Sequence, residues 1–226
     1  MDVLHFLLER LRFVRNFYAT ASQPFRDIKG QIEAGEPPFD DPVYQDDGEP
    51  PYLTEWIDAH TSLVVFGRVC VTMLSQSLRL YFETWESELG IVWGDGERKR
   101  AFRKGYLRGY LYCFEEVLRV SWDVCPADLG IIEQVVLARN CDQHPENIAS
   151  LHVKHNKAAL RKHPNPIFIS DIERRMLAGE ELAELGFMAP AVEVSEDALS
   201  AAITEIEKLA RWLEPLIAAK QWPASS

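Results

Sequence analysis

The sequence contains few cysteines, and their spacing shows no paired motif. Cys70, Cys113, Cys125 and Cys141 form no CxxC pair. The N-terminus does not read as a secretion signal, because Asp2 and Glu9 interrupt its apolar run. We therefore expect reduced thiols in a cytoplasmic protein.

Long apolar runs and phosphate-binding glycine loops are also missing. The longest apolar run, residues 63–74, is broken by Arg68 and is too short to span a bilayer, so we expect a soluble protein with no membrane partner. The loop that contains Gly90, Gly94 and Gly96 has neither phosphate-cradle spacing nor a GK[ST] sequence. It therefore predicts no nucleotide ligand.

Positive charge is scarce. The chain has 24 Lys and Arg against 35 Asp and Glu, a net charge of −11, which argues against broad, charge-driven DNA binding. Much of the excess lies in residues 33–49, which include seven acidic residues and no Lys or Arg. A local basic surface elsewhere therefore remains compatible with the composition.

Helical periodicity is what the sequence does contain. The 226 residues are 47% hydrophobic, enough for one large domain or one domain with an appendage. Apolar spacing predicts helices over the following ranges: 2–21, 23–34, 53–88, 97–120, 129–143 and from Ser195 to about residue 219. Long helices with short connections predict an all-α, antiparallel helical bundle of about five to seven helices, with an irregular segment before the C-terminal helix.

Local signals refine these boundaries. Pro24 is interpreted as the first turn of a second helix, and Pro215 is expected to bend or end the last one. Asp128 is a candidate helix cap, and the capping box of Ser170 and Glu173 predicts a short helix. We expect Gly179 to interrupt that helix and Gly186 to end it. The remaining expectations are an extended acidic loop at 36–51 and brief extended segments at 166–169 and 191–194.

The stretch from Val135 to His144 is an apolar helical run that ends in polar residues and stops at Pro145. Arg139 suits phosphate oxygens, Asn140 offers a donor and an acceptor, and His144 at a helix C-terminus favours the imidazolium. In RNA cleavage a histidine can move protons at the 2′-hydroxyl and the leaving oxygen, while an arginine stabilises charge on phosphorus. A single histidine does not easily serve as base and acid together, so the chemistry predicts a homodimer with the motif near its interface.

Arg139-Asn140-Cys141-Asp142-Gln143-His144 resembles the R-x(4–6)-H motif of the HEPN superfamily, and the resemblance covers about residues 53–219. It implies a metal-independent endoribonuclease without a cofactor, in which Arg139 and His144 are catalytic and Asn140 assists. Such proteins act in toxin–antitoxin, abortive-infection and CRISPR-associated defence systems, which implies an RNA substrate and an antitoxin protein as partners. Many members have Asn or Gly after the histidine, where this chain has Pro145. Some members are non-catalytic modules that bind a partner protein or a nucleotide, and that alternative stays open.

The resemblance leaves residues 1–52 as N-terminal helices and an acidic proline-rich loop packed on the bundle, and 220–226 as a tail. Two basic stretches are candidate RNA contacts, or else simply solvated faces: Arg100, Arg103 and Lys104 in the first, and Lys154, Lys157 and Arg161 in the second. The alternative for Arg139 and His144 is a pair of surface cations at a helix C-terminus. His152, His155 and His163 are a weak metal-binding signal, and we predict no metal site.

Overall fold

The computed structural model describes residues 1–41, 48–143, 151–176 and 189–222. In those ranges it contains eight α-helices and no β-strand, which confirms the prediction of an all-α helical bundle. The helices are α1 (Val3–Ala34), α2 (Leu53–Glu88), α3 (Glu97–Ala101), α4 (Tyr106–Leu118), α5 (Leu129–Gln143), α6 (Lys157–Lys162), α7 (Asp171–Met176) and α8 (Glu196–Gln221). Five of them are long, and α3, α6 and α7 have at most six residues each.

Helix α1 is one continuous helix, so the predicted break between residues 21 and 23 is wrong. The Asp2 side chain accepts a hydrogen bond from the backbone N–H of His5 at the start, and left-handed Gly35 ends the helix. Pro24 lies inside. The helix is fastened on both sides of the proline, because the Tyr18 hydroxyl donates to the Val194 carbonyl and Arg26 pairs with Glu196. Tertiary contacts therefore offset the hydrogen bond that proline cannot make.

Helix α2, predicted over 53–88, has those bounds and is the centre of the bundle. It packs antiparallel to α1, with Phe17 against Phe66, and it also contacts α4, α5 and α8. Leu74, Leu78 and Phe82 are fully buried in the shared core. Of the described helices, α2 alone is long and apolar enough to cross a membrane by length and composition, a test that core helices of soluble proteins also pass.

The single helix predicted over 97–120 is interrupted. Helix α3 is followed by a 3-10 turn at Phe102–Lys104, and α4 begins only after Gly105, whose φ is 99°. A left-handed φ of this kind favours glycine and breaks the helical repeat. The basic residues Arg100, Arg103 and Lys104 therefore precede α4 instead of belonging to the first turns of one long helix.

Helix α5 has the predicted range, and Asp128 caps it. The Asp128 carboxylate accepts hydrogen bonds from the backbone N–H groups of Gly130 and Ile131 at 2.8 and 3.1 Å. Helix α5 packs against α2 and α8 through a buried stripe that includes Ile132 and Val135. The cap and the stripe together fix how the last turns of α5 face solvent.

Between α5 and α8, residues 151–176 and 189–195 are described; they contain the short helices α6 and α7 and are otherwise irregular, as predicted. Val192 N–H donates to the Val153 carbonyl, and Glu193 N–H donates to the Phe168 carbonyl. One antiparallel bridge joins Lys154 and Ala191, but the extended segments predicted at 166–169 and 191–194 form no strand in the described part of the chain. The capping box is present, since Ser170 Oγ accepts from Glu173 N–H at 3.1 Å. Gly179 and Gly186 lie outside the described residues.

Helix α8 closes the bundle against α1, α2 and α5. It begins after Ser195, whose hydroxyl accepts from the backbone N–H of Ala198. Pro215 does not end it, because the helix continues to Gln221 and so extends into the predicted tail. Ile206, Leu209 and Leu213 are completely buried along its inner face.

Candidate functional site

The exposed end of α5 presents Arg139 and Asn140 next to each other. Arg139 is half-buried and Asn140 is exposed, whereas Ala138 and Cys141 face the core. Arg139 Nη1 donates a hydrogen bond to Asn140 Oδ1 at 3.0 Å. The helix ends at Gln143, and His144 lies outside the described residues. The end of a buried helix thus holds a guanidinium and an amide together, five and four residues before the histidine in the chain.

Arg68 is a site residue that sequence reasoning treated only as an interruption in an apolar run. It is 6% exposed on α2, and its Nε lies 3.3 Å from Asp142 Oδ1 within the motif. Nε and Nη1 of this guanidinium are buried without a hydrogen-bond partner. Burial lowers the pKa of Arg68, and the charge of Asp142 opposes that effect. The ion pair joins the end of α5 to the middle of α2.

Tyr106 joins the start of α4 to the middle of α2. Its hydroxyl donates to the Ser75 carbonyl at 3.0 Å. Burial raises the pKa of Tyr106 to about 12, while the nearby charges of Arg139 and Arg79 act in the opposite direction. The start of α4 is therefore within the electrostatic range of Arg139.

Three of the residues predicted to contact RNA line one cleft. Arg100, Arg103 and Lys104 line an open cleft of about 470 Å³, which we call the basic cleft; Arg108, Tyr112 and Glu97 also line it. Among the described residues Arg100, Arg103 and Lys104 make no ion pair, whereas neighbouring Arg98 is held by Glu86. The cleft therefore presents several exposed cations around one carboxylate, an arrangement suited to phosphate oxygens.

Helix α6 runs antiparallel beside α5. Its N-cap residue Asn156 approaches the Cys141 sulfur at 3.6 Å, whereas Lys162 at its other end contacts Glu133. Lys157 and Arg161 are exposed on this helix, and Lys154 is exposed just before it. The beginning of α6 thus lies next to the last turns of α5, which brings the second group of predicted RNA contacts near the motif.

Glu133 holds this arrangement together and was not predicted from the sequence. Its carboxylate contacts Lys162, His163 Nε2 at 3.1 Å and Arg108 Nε at 3.3 Å. Burial alone would raise the pKa of Glu133, but the hydrogen bonds from Lys162 and His163 and the charge of Arg108 lower it overall. One carboxylate of α5 therefore ties both α4 and α6 to the helix that carries the motif.

The three histidines of residues 152–163 do not converge on a metal site. His155 is buried and its Nε2 bonds to the Phe168 carbonyl at 2.7 Å, while His163 is paired with Glu133. Burial lowers the pKa of His155, and the hydrogen bond to Phe168 opposes this. Within the ranges that the structure describes, no group of three or more His, Cys, Asp or Glu side chains is placed to bind a metal ion.

Comparisons of the chain with protein-family models, with curated proteins and with solved structures found no match. The candidate site accordingly rests on the residues described above.

Proposed function

We propose that this protein is a metal-independent endoribonuclease of the HEPN type, acting in a toxin–antitoxin or other defence system. One observation carries the proposal. Arg139 and Asn140 are presented together on the last turns of a buried helix, five and four residues before His144 in the chain. The basic cleft is joined to α5 through the Arg108–Glu133 ion pair, and the beginning of α6 lies beside the last turns of α5, so both offer positive surface for RNA despite the net charge of −11.

The chemistry uses the 2′-hydroxyl of the RNA as its nucleophile. His144 accepts the proton of that hydroxyl, whose oxygen forms a bond to the adjacent phosphorus as the bond to the 5′-oxygen breaks. Arg139 stabilises the charge that develops on the phosphoryl oxygens, and Asn140 orients the guanidinium through their hydrogen bond. The leaving 5′-oxygen takes up a proton. The products are a 2′,3′-cyclic phosphate and a 5′-hydroxyl.

Two copies of the chain complete the site in this proposal. The departing oxygen requires an acid at the moment when one histidine is acting as a base, and the histidine of a second copy supplies that acid. The proposed active form is a cytoplasmic homodimer with the motif near its interface, and an antitoxin protein would bind over the same region.

The second candidate is a non-catalytic module that binds RNA or a nucleotide. The observation that favours it is the hydrogen bond of Arg139 to its own neighbour, which occupies part of the guanidinium in the free protein. Such a module would use the exposed cations of the basic cleft for binding and would leave the RNA intact.

The test is cleavage of a mixed-sequence RNA by the purified full chain in the presence of EDTA. We expect cleavage that EDTA does not inhibit, products with cyclic phosphate ends, and a decrease of about 100-fold or more for His144→Ala and Arg139→Ala. His5→Ala, an exposed histidine on α1, is the matched control and should retain full activity. Undiminished cleavage by His144→Ala would exclude the mechanism, and RNA binding without cleavage by the unmodified chain would favour the module.

A further inference from the structure

The groove between α1 and α2 has an apolar surface that no described part of the chain covers. Phe6 and Phe13 of α1 are 55% and 56% exposed, and Leu80 of α2 is 44% exposed. Two adjoining clefts of about 350 and 220 Å³ follow this groove, and Phe6 and Arg10 line both of them. Large apolar side chains exposed together along a groove are typical of an interaction surface.

The pattern of residues on α1 favours a second copy of this chain as the partner. In an antiparallel contact of two α1 helices about a two-fold axis between Glu9 and Arg10, Phe6 of each copy faces Phe13 of the other. The same axis places Glu9 opposite Arg10 twice. Phe6, Glu9, Arg10 and Phe13 follow the i, i+3, i+4, i+7 spacing of a single helix face, so all these contacts form together. We propose that a second copy of this chain docks on the α1–α2 groove in this antiparallel arrangement.

The charges of the groove support a second copy over other occupants. Arg10 is exposed and makes no ion pair with any residue that the structure describes. Glu9 holds Arg12 of its own helix at 2.7 Å, and its carboxylate has further lone pairs for the Arg10 of the other copy. The net charge of −11 opposes association through most of the surface, whereas this face carries matched charges that are complementary to themselves.

The groove and the candidate site lie on different faces of α2. On an ideal helix Arg68 and Ser75, which contact the site, project roughly 150° away from Met73, Ser77 and Leu80, which line the groove. The contact through α1 is therefore separate from any contact that would join two motifs, and it does not require RNA cleavage.

The experiment is a charge exchange in the full-length chain, followed by sedimentation velocity over a range of concentrations. The unmodified chain should be a dimer. Arg10→Glu should weaken the dimer at least about tenfold, because Glu9 then faces another carboxylate twice. The double variant Glu9→Arg with Arg10→Glu should restore it. Arg15→Glu, an exposed position on the opposite side of α1, is the matched control and should leave the dimer unchanged.

The outcomes separate this proposal from the proposed function. A monomeric unmodified chain, or a dimer that Arg10→Glu does not weaken, overturns the proposed contact even if the protein cleaves RNA. Failure of the double variant to restore association likewise argues against the antiparallel register. A dimer that the variants weaken and restore as expected, in a protein that does not cleave RNA, supports the contact and excludes the proposed nuclease function. Circular dichroism of each variant establishes that the exposed substitutions leave the fold intact.

Discussion

At the scale of single residues, the charge buried in the middle of α2 has the largest consequences. Arg68 is nearly inaccessible, its Nε and Nη1 lack hydrogen-bond acceptors, and Asp142 is its ionic partner. A buried ion pair contributes little net stability, but removing one partner leaves the other without compensation. The pair is therefore better understood as a device that fixes the position of the end of α5 than as a source of stability.

The two partners should respond differently to substitution. Asp142→Asn should lower the free energy of unfolding by about 1–3 kcal/mol, because it leaves a buried guanidinium without its counter-charge. The effect is below that of a fully buried pair, since the Asp142 side chain is 29% exposed. Arg68→Met should cost less, because the Asp142 carboxylate that it leaves without a partner is partly exposed and stays hydrated. Urea unfolding measures both variants, and a larger loss for Arg68→Met than for Asp142→Asn would contradict this account.

His155 makes stability depend on pH. Burial lowers the pKa of His155 in the folded protein below the value of about 6.5 expected after unfolding. The unfolded chain therefore takes up a proton more readily as the pH falls. Stability should be full above about pH 6.5 and should decrease on acidification by up to about 1.4 kcal/mol per pH unit.

His155→Gln tests this dependence. Glutamine retains an N–H donor for the Phe168 carbonyl but does not titrate. The variant should lose less stability than the unmodified chain between pH 7 and pH 5.5, as measured by chemical unfolding at each pH. His60, whose pKa is also lowered by burial, is unchanged in both proteins and acts as an internal reference. Equal losses in the two proteins would show that His155 is not responsible.

At the scale of elements, the break before α4 depends on a close contact between two aromatic-rich turns. The Phe102 ring packs directly over Gly109, so that a Cβ added at Gly109 would lie 2.6 Å from ring atoms. Phe102 also makes an edge-on contact with Tyr110. This packing folds the basic segment back onto α4 and thereby forms the basic cleft.

Two glycine substitutions should have opposite signs. Gly109→Ala should destabilise the protein by about 1–3 kcal/mol despite the better helix propensity of alanine, because the Phe102 ring must move. Gly30 lies inside α1 with no atom within 4 Å of an added Cβ. Gly30→Ala should therefore raise the free energy of unfolding by up to about 1 kcal/mol. Thermal unfolding of the pair measures both effects, and a stabilised Gly109→Ala would show that the aromatic packing is loose.

These elements also show which features can be predicted from sequence. The long helices and the caps Asp128, Ser170 and Ser195 were predicted because periodicity and capping are local signals. The continuity of α1 through Pro24 was not predicted, because contacts with the distant residues Val194 and Glu196 decide it. The break at Gly105 was not predicted, because the apolar periodicity continues across it. The adjacency of Arg139 and Asn140 follows from helix geometry alone. Arg68 and Glu133 were missed as site residues, since their partners lie on other helices and no local pattern records them.

At the scale of the whole molecule, an acidic protein presents a confined basic surface. The exposed cations of the basic cleft and of α6 flank α5, the helix that carries the motif, whereas the seven acidic residues of 33–49 lie at the end of α1 and in the connection to α2. Such a distribution directs a polyanion to one side of the molecule. Binding should accordingly depend on salt while remaining weakly dependent on sequence.

Removal of cleft cations should weaken RNA binding in a characteristic way. Arg100→Ala and Arg103→Ala should each reduce affinity similarly for different RNA sequences and lower the slope of log affinity against log salt by about 0.7 for a single strand. Arg15→Ala, an exposed arginine on α1, should change neither quantity. Fluorescence anisotropy at several salt concentrations gives both values. An unchanged slope for the cleft variants would place the RNA elsewhere.

The way that α8 closes the bundle has a consequence for synthesis of the chain. The Tyr18 hydroxyl near the N-terminus is satisfied by the carbonyl of Val194, 176 residues later, and α8 packs against α1. At about 5–20 residues per second, α8 is synthesised roughly ten to forty seconds after α1. The apolar stripe of α1 stays incompletely covered throughout that interval. The packing of α1 is therefore completed only after α8 has been synthesised.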